Sequence, residues 1–318
     1  MKMTFEKIFL FLIIINENMH KYFSFFYTFL VFVFNCFIIR IGGKIMNVKA
    51  IMCDVDGTLL TNEGVVSPKT IEAIRKVRNK GILFGLSTGR DVNSVKTLLS
   101  EWGIEGLVDS IVGTGGAEIC DFVLNVEKQS YPLDGHLIKE IIKHFDDIDV
   151  NFTIPWEGIL FAPKDDELIQ ELAIADKVPY QVVDFDEFLK EPRPKLVIVC
   201  KPETMKDVVE RSKTFKNDKY KCASLITASS LFEYMDPRIS KTFGLKQVMK
   251  MHNIDMKDLC TFGDADNDYD MTLHAGIGVV MANGSEKTKS VADYITDDNN
   301  HDGIAQFIYE HILKEDIE

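Results

Sequence analysis

Two carboxylates stand two residues apart in Asp54-Val55-Asp56-Gly57-Thr58, directly after the nearly continuous apolar run 48–53. Carboxylates this close repel each other unless a cation or a shared proton intervenes. The pair therefore points to a divalent metal or to a division of acid and base labour, although an ordinary D-x-D-G turn carries the same residues. Ser87-Thr88-Gly89-Arg90 offers a hydroxyl, a flexible glycine and a guanidinium at a helix start, a set that suits phosphate and equally a plain N-cap. Lys241, in Ser240-Lys241-Thr242, opens a helix and by itself is a surface charge. Gly263-Asp264-Ala265-Asp266-Asn267-Asp268 follows another apolar run, and with Asp270 it puts four carboxylates into seven residues. An EF-hand needs glycine at the sixth loop position and glutamate at the twelfth. Here those positions are Tyr269 and Ala275, so the loop is better suited to lending one or two oxygens to a metal held mainly elsewhere.

These groups need elements to place them. Residues 48–53 form a short buried strand ending at Asp54. Ser67-Pro68 gives an N-cap and a first-turn proline, Ile71, Ile74 and Val77 a helical stripe, and Gly81 a stop. Residues 82–86 form the next strand, Val92, Val95, Leu98 and Leu99 the next stripe, and residues 107–112 a third strand. Ligands in such sheets bind beyond the carboxyl ends of the strands, where the Asp54, Thr88 and Asp264 segments all fall. The alternation loosens after Tyr131-Pro132 into helices at 137–145, 165–176 and 203–215 and strands at 151–161, 195–200 and 231–235. It resumes with a helix at 242–252 and strands at 258–262, 276–281 and 293–296. The expectation is an α/β fold: a doubly wound, parallel-sheet (Rossmann-like) core over 46–130 and 237–318, with an α+β domain inserted at 131–236. Trp156, Glu157 and Arg193 of the insert are candidates to line a pocket, with packing and a solvated charge as the plainer readings for Trp156 and Arg193.

Lys plus Arg number 36 against 49 Asp plus Glu, a formal charge of −13. That excess disfavours nucleic acid as a partner, since such surfaces are usually basic. Six scattered cysteines without a C-x-x-C pair fit a reducing compartment. The seven histidines show no metal-ligand spacing, and no G-x-x-x-x-G-K-S/T loop is present. Residues 1–45 differ from the rest: they hold ten of the 22 phenylalanines and carry +3, leaving −16 on the remaining 273 residues. The apolar run 22–39 is just long enough to span a bilayer. This leader is read as an extension upstream of a natural start at Met46, as a membrane anchor, or as a targeting peptide. The remaining 273 residues are expected to be cytoplasmic, or membrane-anchored if the leader is native.

Taken together, D-x-D-G-T, S/T-G-R, the lysine and G-D-x-x-N-D, at successive strand or helix ends, resemble the haloacid dehalogenase superfamily. Gly278-Val279-Val280-Met281-Ala282-Asn283, Val291-Ala292-Asp293-Tyr294-Ile295-Thr296 and His301-Asp302-Gly303-Ile304 look like its Cof-type phosphatase branch, which carries a large α/β cap before the lysine. The resemblance implies that Asp54 takes up the phosphoryl group as an aspartyl phosphate and that Asp56 is the general acid and then the base. It implies that Thr88 and Lys241 hold the phosphoryl oxygens, with Gly57, Gly89, Arg90 and Asn267 around the phosphate. Mg²⁺ would be bound by Asp54, the Asp56 main-chain carbonyl, Asp264 and Asp268. The chain departs from the family at Thr114-Gly115-Gly116-Ala117, where asparagine is common, and this bears on substrate preference. The expected activity is Mg²⁺-dependent hydrolysis of a small phosphorylated metabolite such as a sugar or polyol phosphate. A phosphomutase and a non-catalytic phosphate-binding regulator are the alternatives.

Overall fold

The computed structural model describes residues 47–315; the leader and its apolar run 22–39 lie outside them. No helix among the described residues is long and apolar enough to cross a membrane.

The first sheet has eight strands. They are β1 (Ala50–Cys53), β2 (Leu83–Ser87), β3 (Ser110–Gly113), β4 (Glu118–Asp121), β5 (Val126–Gln129) and, late in the chain, β12 (Leu259–Gly263), β13 (Ile277–Met281) and β14 (Tyr294–Thr296). Between β5 and β12 lie β6 (Asn151–Trp156), β7 (Ile159–Ala162), β8 (Tyr180–Val182), β9 (Leu196–Val199), β10 (Ala223–Ala228) and β11 (Leu231–Met235), which build a second sheet. The orders are β14-β13-β12-β1-β2-β3-β4-β5 and β10-β11-β9-β6-β7-β8.

Strands β14 to β3 are parallel, and β1 is paired on both sides, to β12 and β2. All four β1 residues are buried, as expected where helices cover both faces. One face packs on α6 (Lys241–Met251) and α7 (Tyr269–His274) through Met52, Val112, Leu245, Val248 and Met271. The other face meets α1 (Pro68–Asn79) and α8 (Gly303–Phe307), where the Phe262 and Phe307 rings lie 5.4 Å apart, edge to face. α1 begins as its sequence dictates: the Ser67 hydroxyl accepts from Thr70 N at 3.1 Å, a cap worth about 1 kcal/mol. Ala73, Ile74 and Val77 are its buried stripe, and α2 (Val92–Leu98) follows β2.

The parallel-sheet expectation omits the edge. β4 runs antiparallel to β3, and β5 antiparallel to β4. Each strand has four residues, too few for a period-2 pattern to stand out, and β5 is Val-Glu-Lys-Gln on an open edge. The short strand β8 and β10 likewise carry no clear apolar signal.

In the second sheet alternation decides everything. Phe152 and Ile154 of β6, Leu196 and Ile198 of β9, and Phe232 and Tyr234 of β11 share one apolar core. That core is completed by Leu137, Ile138 and Ile141 of α3 (Gly135–His144) and by Met205 and Val208 of α5 (Met205–Ser212). The intervening residues point to the opposite face, which covers the carboxyl ends of the first sheet. α4 (Glu167–Asp176) joins that covering layer beside β7 and β8.

Candidate active site

β1 ends in Asp54, whose main-chain N–H still bonds the Phe262 carbonyl of β12 at 2.9 Å. The chain must then leave the sheet sharply, and Gly57 does this at φ +81°. A side chain there would also meet Asp264 Oδ2 at 2.6 Å. The same turn aims the Thr58 hydroxyl at Asp264, to which it donates at 2.6 Å. Asp268 folds back on its own loop, Oδ2 accepting from the N–H groups of Asp264 (2.9 Å) and Ala265 (3.0 Å). Its other oxygen faces Lys241. That lysine is the first residue of α6, a helix capped by Ser240. Its Nζ donates to Asp54 Oδ1 and Asp268 Oδ1, both at 2.6 Å, and it is 4% exposed.

One cation among three buried or half-buried carboxylates leaves negative charge in excess. Ligand oxygens of Asp54, Asp264 and Asp268 lie within 4.8 Å of one another. Burial pushes Asp54 well above the usual carboxylate range; Lys241 opposes this, while Asp268 and Asp264 reinforce it. Burial likewise raises Asp264 to about 6, against the Thr58 hydrogen bond and with help from Asp268. Burial alone would lower Lys241, but Asp268 and Asp54 more than reverse it and hold the ammonium charged. A set of close oxygen donors with surplus negative charge fits a hard divalent cation.

Asp56 is placed differently. Its side chain stays 54% exposed, and both oxygens accept from Arg90, Nε at 2.8 Å and Nη2 at 2.9 Å. Arg90 also donates through Nη1 to the Asp176 carbonyl at the end of α4, at 2.7 Å. The guanidinium thus ties Asp56 to the covering layer. Thr88 is buried at the end of β2, its hydroxyl accepting from Arg90 N at 3.2 Å. Asn267 Oδ1 is buried with no hydrogen-bond partner among the described residues.

Asp54, Asp56, Thr88, Gly89, Arg90 and Asn267 line one cavity of about 410 Å³ between the strand ends and the second sheet. Thr153, Lys195, Thr227 and Glu233 supply its polar lid side, with Pro155, Leu172 and Leu231 among its apolar groups. None of the three insert residues singled out from the sequence is there. The Arg193 guanidinium lies against both the Trp156 and Phe188 rings, 4.2 and 3.8 Å from the ring centres, and donates to the Phe188 carbonyl. It is packing, not a pocket wall and not a solvated charge. Glu157 sits with Trp156 along a separate shallow groove. Glu233 had one sequence signal, a charge between apolar residues of β11, and Lys195 directly precedes the apolar β9, but alternation alone does not say which face meets the core.

The haloacid dehalogenase-like hydrolase family matches residues 51–308. A Haemophilus influenzae protein named "Putative phosphatase" is 31% identical over 265 residues, which are 78% of this chain and 95% of that protein. The 5-amino-6-(5-phospho-D-ribitylamino)uracil phosphatase YitU of Bacillus subtilis is 25% identical, over 82% of this chain and 96% of its own. Among solved structures, a haloacid dehalogenase-like hydrolase from Bacteroides thetaiotaomicron superposes with a TM-score of 0.74 at 23% identity, over 83% of this chain and 99% of that one. The two-sheet architecture, its capped cavity and these matches agree: the chain belongs to the haloacid dehalogenase-like hydrolase family, and it is a phosphatase.

Proposed function

We propose that the protein is a Mg²⁺-dependent phosphomonoesterase acting on a small sugar or polyol phosphate through an aspartyl phosphate. The observation that carries this is the placement of Asp54: buried, bonded to a charged Lys241, beside Asp264 and Asp268, and at the mouth of the 410 Å³ cavity with Asp56. Asp54 attacks phosphorus as the ester oxygen leaves, and Asp56 delivers a proton to that oxygen. Asp56 then takes a proton from the water that cleaves the acyl phosphate, releasing inorganic phosphate and regenerating Asp54. An anion attacking an anion needs countercharge. Lys241 supplies one part of it to the phosphoryl oxygens, helped by the Thr88 hydroxyl, the Gly57 and Gly89 backbone, Arg90 and Asn267. Mg²⁺ on Asp54, Asp264, Asp268 and the Asp56 carbonyl would supply the rest, as a Lewis acid on the transferring group.

The Asp56–Arg90–Asp176 chain supports a cap that must close for Asp56 to be oriented. A phosphorylated ribityl group is part of the substrate name of the YitU relative, which supports a polyol phosphate here. Phosphate release from a panel of sugar, polyol and nucleotide monophosphates, with and without Mg²⁺, tests the proposal. Release restricted to Mg²⁺ and strongest for polyol or sugar esters is expected. Conversion to an isomeric phosphate without free phosphate would show a mutase instead, and no turnover of any ester would sink the enzymatic reading.

A further inference from the structure

The proposed chemistry leaves one costly feature of the cavity without a task. Lys195, directly before β9, pairs with Glu233 of β11, Nζ to Oε1 at 2.7 Å, with 2% and 4% exposure. Burying such a pair is expensive, and well-packed apolar residues would often serve the fold as well or better. The pair lines the lid side of the cavity together with Thr227, whose hydroxyl donates to Glu233 Oε1 at 3.1 Å. Lys195 also donates to the Gly89 carbonyl at 2.9 Å, which ties it to the loop that carries Thr88 and Arg90.

We infer that Lys195, Glu233 and Thr227 form a subsite for the leaving group, one that recognises adjacent hydroxyls on an uncharged carbon chain. The inference rests on the phosphatase reading and names the ester within it. An ammonium has three donors; two are spent, on Glu233 and Gly89. Glu233 takes its bonds from Lys195 and Thr227 on Oε1, which leaves Oε2 as an acceptor beside the third Lys195 donor. A vicinal diol matches this pattern, one oxygen accepting from Lys195 and the neighbouring O–H donating to Glu233, both as charge-assisted bonds. The balance of charge argues against other groups. Lys195 and Glu233 cancel, and Arg90, the other cation of the lining, is already held by Asp56 and Asp176, so a second phosphate or a carboxylate on the substrate would find no spare countercharge. The apolar residues Pro155, Leu172 and Leu231 suit the C–H faces that a polyhydroxylated chain also presents.

The test compares two esters of equal chain length, a pentitol 5-phosphate and 1-pentyl phosphate, with wild type, Glu233→Gln and Thr227→Val. The quantity read is the ratio of their kcat/KM values. Glu233→Gln should lower the ratio at least about tenfold, chiefly through KM for the pentitol ester, and Thr227→Val should lower it a few-fold. A ratio unchanged in both variants overturns the subsite, even if both esters slow together, since that would show a purely structural pair. If Glu233→Gln does not fold, Thr227→Val decides alone. Wild type that releases no phosphate from either ester with Mg²⁺ overturns the phosphatase reading and this inference with it. Wild type that hydrolyses both, with an unchanged ratio in the variants, overturns only the inference.

Discussion

The molecule buries two lysines on opposite sides of one cavity, Lys195 in its lining and Lys241 behind Asp54, and they are held in opposite ways. Lys241, on the core side, bonds two carboxylates at 2.6 Å each and has a third nearby. Lys195, on the lid side, has one carboxylate at 2.7 Å and one carbonyl. The first cluster is short of positive charge, and its acids show it, with Asp264 driven up to about 6 by burial and by Asp268. The second is balanced. A wall with surplus negative charge is prepared for a cation and whatever that cation brings. A neutral, hydrogen-bonding wall is prepared for a ligand without charge. A phosphate monoester of a polyol presents these two ends in one molecule.

The largest effect expected is on the core side. Asp54→Asn keeps the shape but removes the proposed nucleophile, and phosphate release with Mg²⁺ should fall by at least about 10⁴, some 5.5 kcal/mol of barrier. Full activity in that variant would end the assignment of Asp54. Next is Lys241→Met, which strands Asp54 and Asp268 in the interior. Breaking a buried pair costs about 3–5 kcal/mol, so thermal unfolding should show a large drop in Tm in the absence of metal. A negligible drop would mean that water already solvates these carboxylates.

Much of the core side was visible in the sequence, and little of the lid side. Asp54, Thr88 and Asp264 stand just beyond short apolar strands, and in a parallel sheet every strand end opens onto the same crevice. Local patterns therefore converge on one place without knowledge of distant contacts. Lys241 begins a helix and joins them only because α6 packs beneath β1 and β3. On the lid side Lys195-Leu196-Val197-Ile198 announces a strand, but whether Lys195 or Leu196 faces the core depends on how the whole second sheet is laid over the first. Arg193 stood out in the sequence for its charge and loop position, yet its guanidinium is consumed by Trp156 and Phe188. The role of Asp176 was invisible for a similar reason: it offers Arg90 a main-chain carbonyl at a helix end, a group every residue has.

A third prediction measures the charge deficit directly. Mg²⁺ that binds only the folded cluster should stabilise it by about 2.7 kcal/mol at a hundred times its Kd, seen as a rise in Tm without any substrate. Asp264→Asn removes one oxygen charge from the donor set, and the rise should shrink or require much more Mg²⁺. An undiminished rise would place the metal away from Asp264. The same titration on Glu233→Gln should leave the rise intact, because that carboxylate lies outside the three-acid group.

The smallest effect is the one that separates the two lysines most sharply. On the lid side one cation faces one anion, so both can be removed together. Lys195→Met with Glu233→Met should cost no more than about 1 kcal/mol and could raise Tm, since apolar replacement of a buried pair is often neutral or stabilising; the main loss is the Lys195 bond to the Gly89 carbonyl. Lys195→Met alone strands Glu233 and should be clearly worse than the double variant. The core side allows no such rescue by a single compensating change, because removing Lys241 and Asp268 leaves Asp54 and Asp264 still facing each other. Equal damage from the single and double lid variants would show that Lys195 acts through Gly89 rather than through Glu233. The two lysines would then share one task, holding the loops at the cavity mouth, and the contrast between the walls would fail.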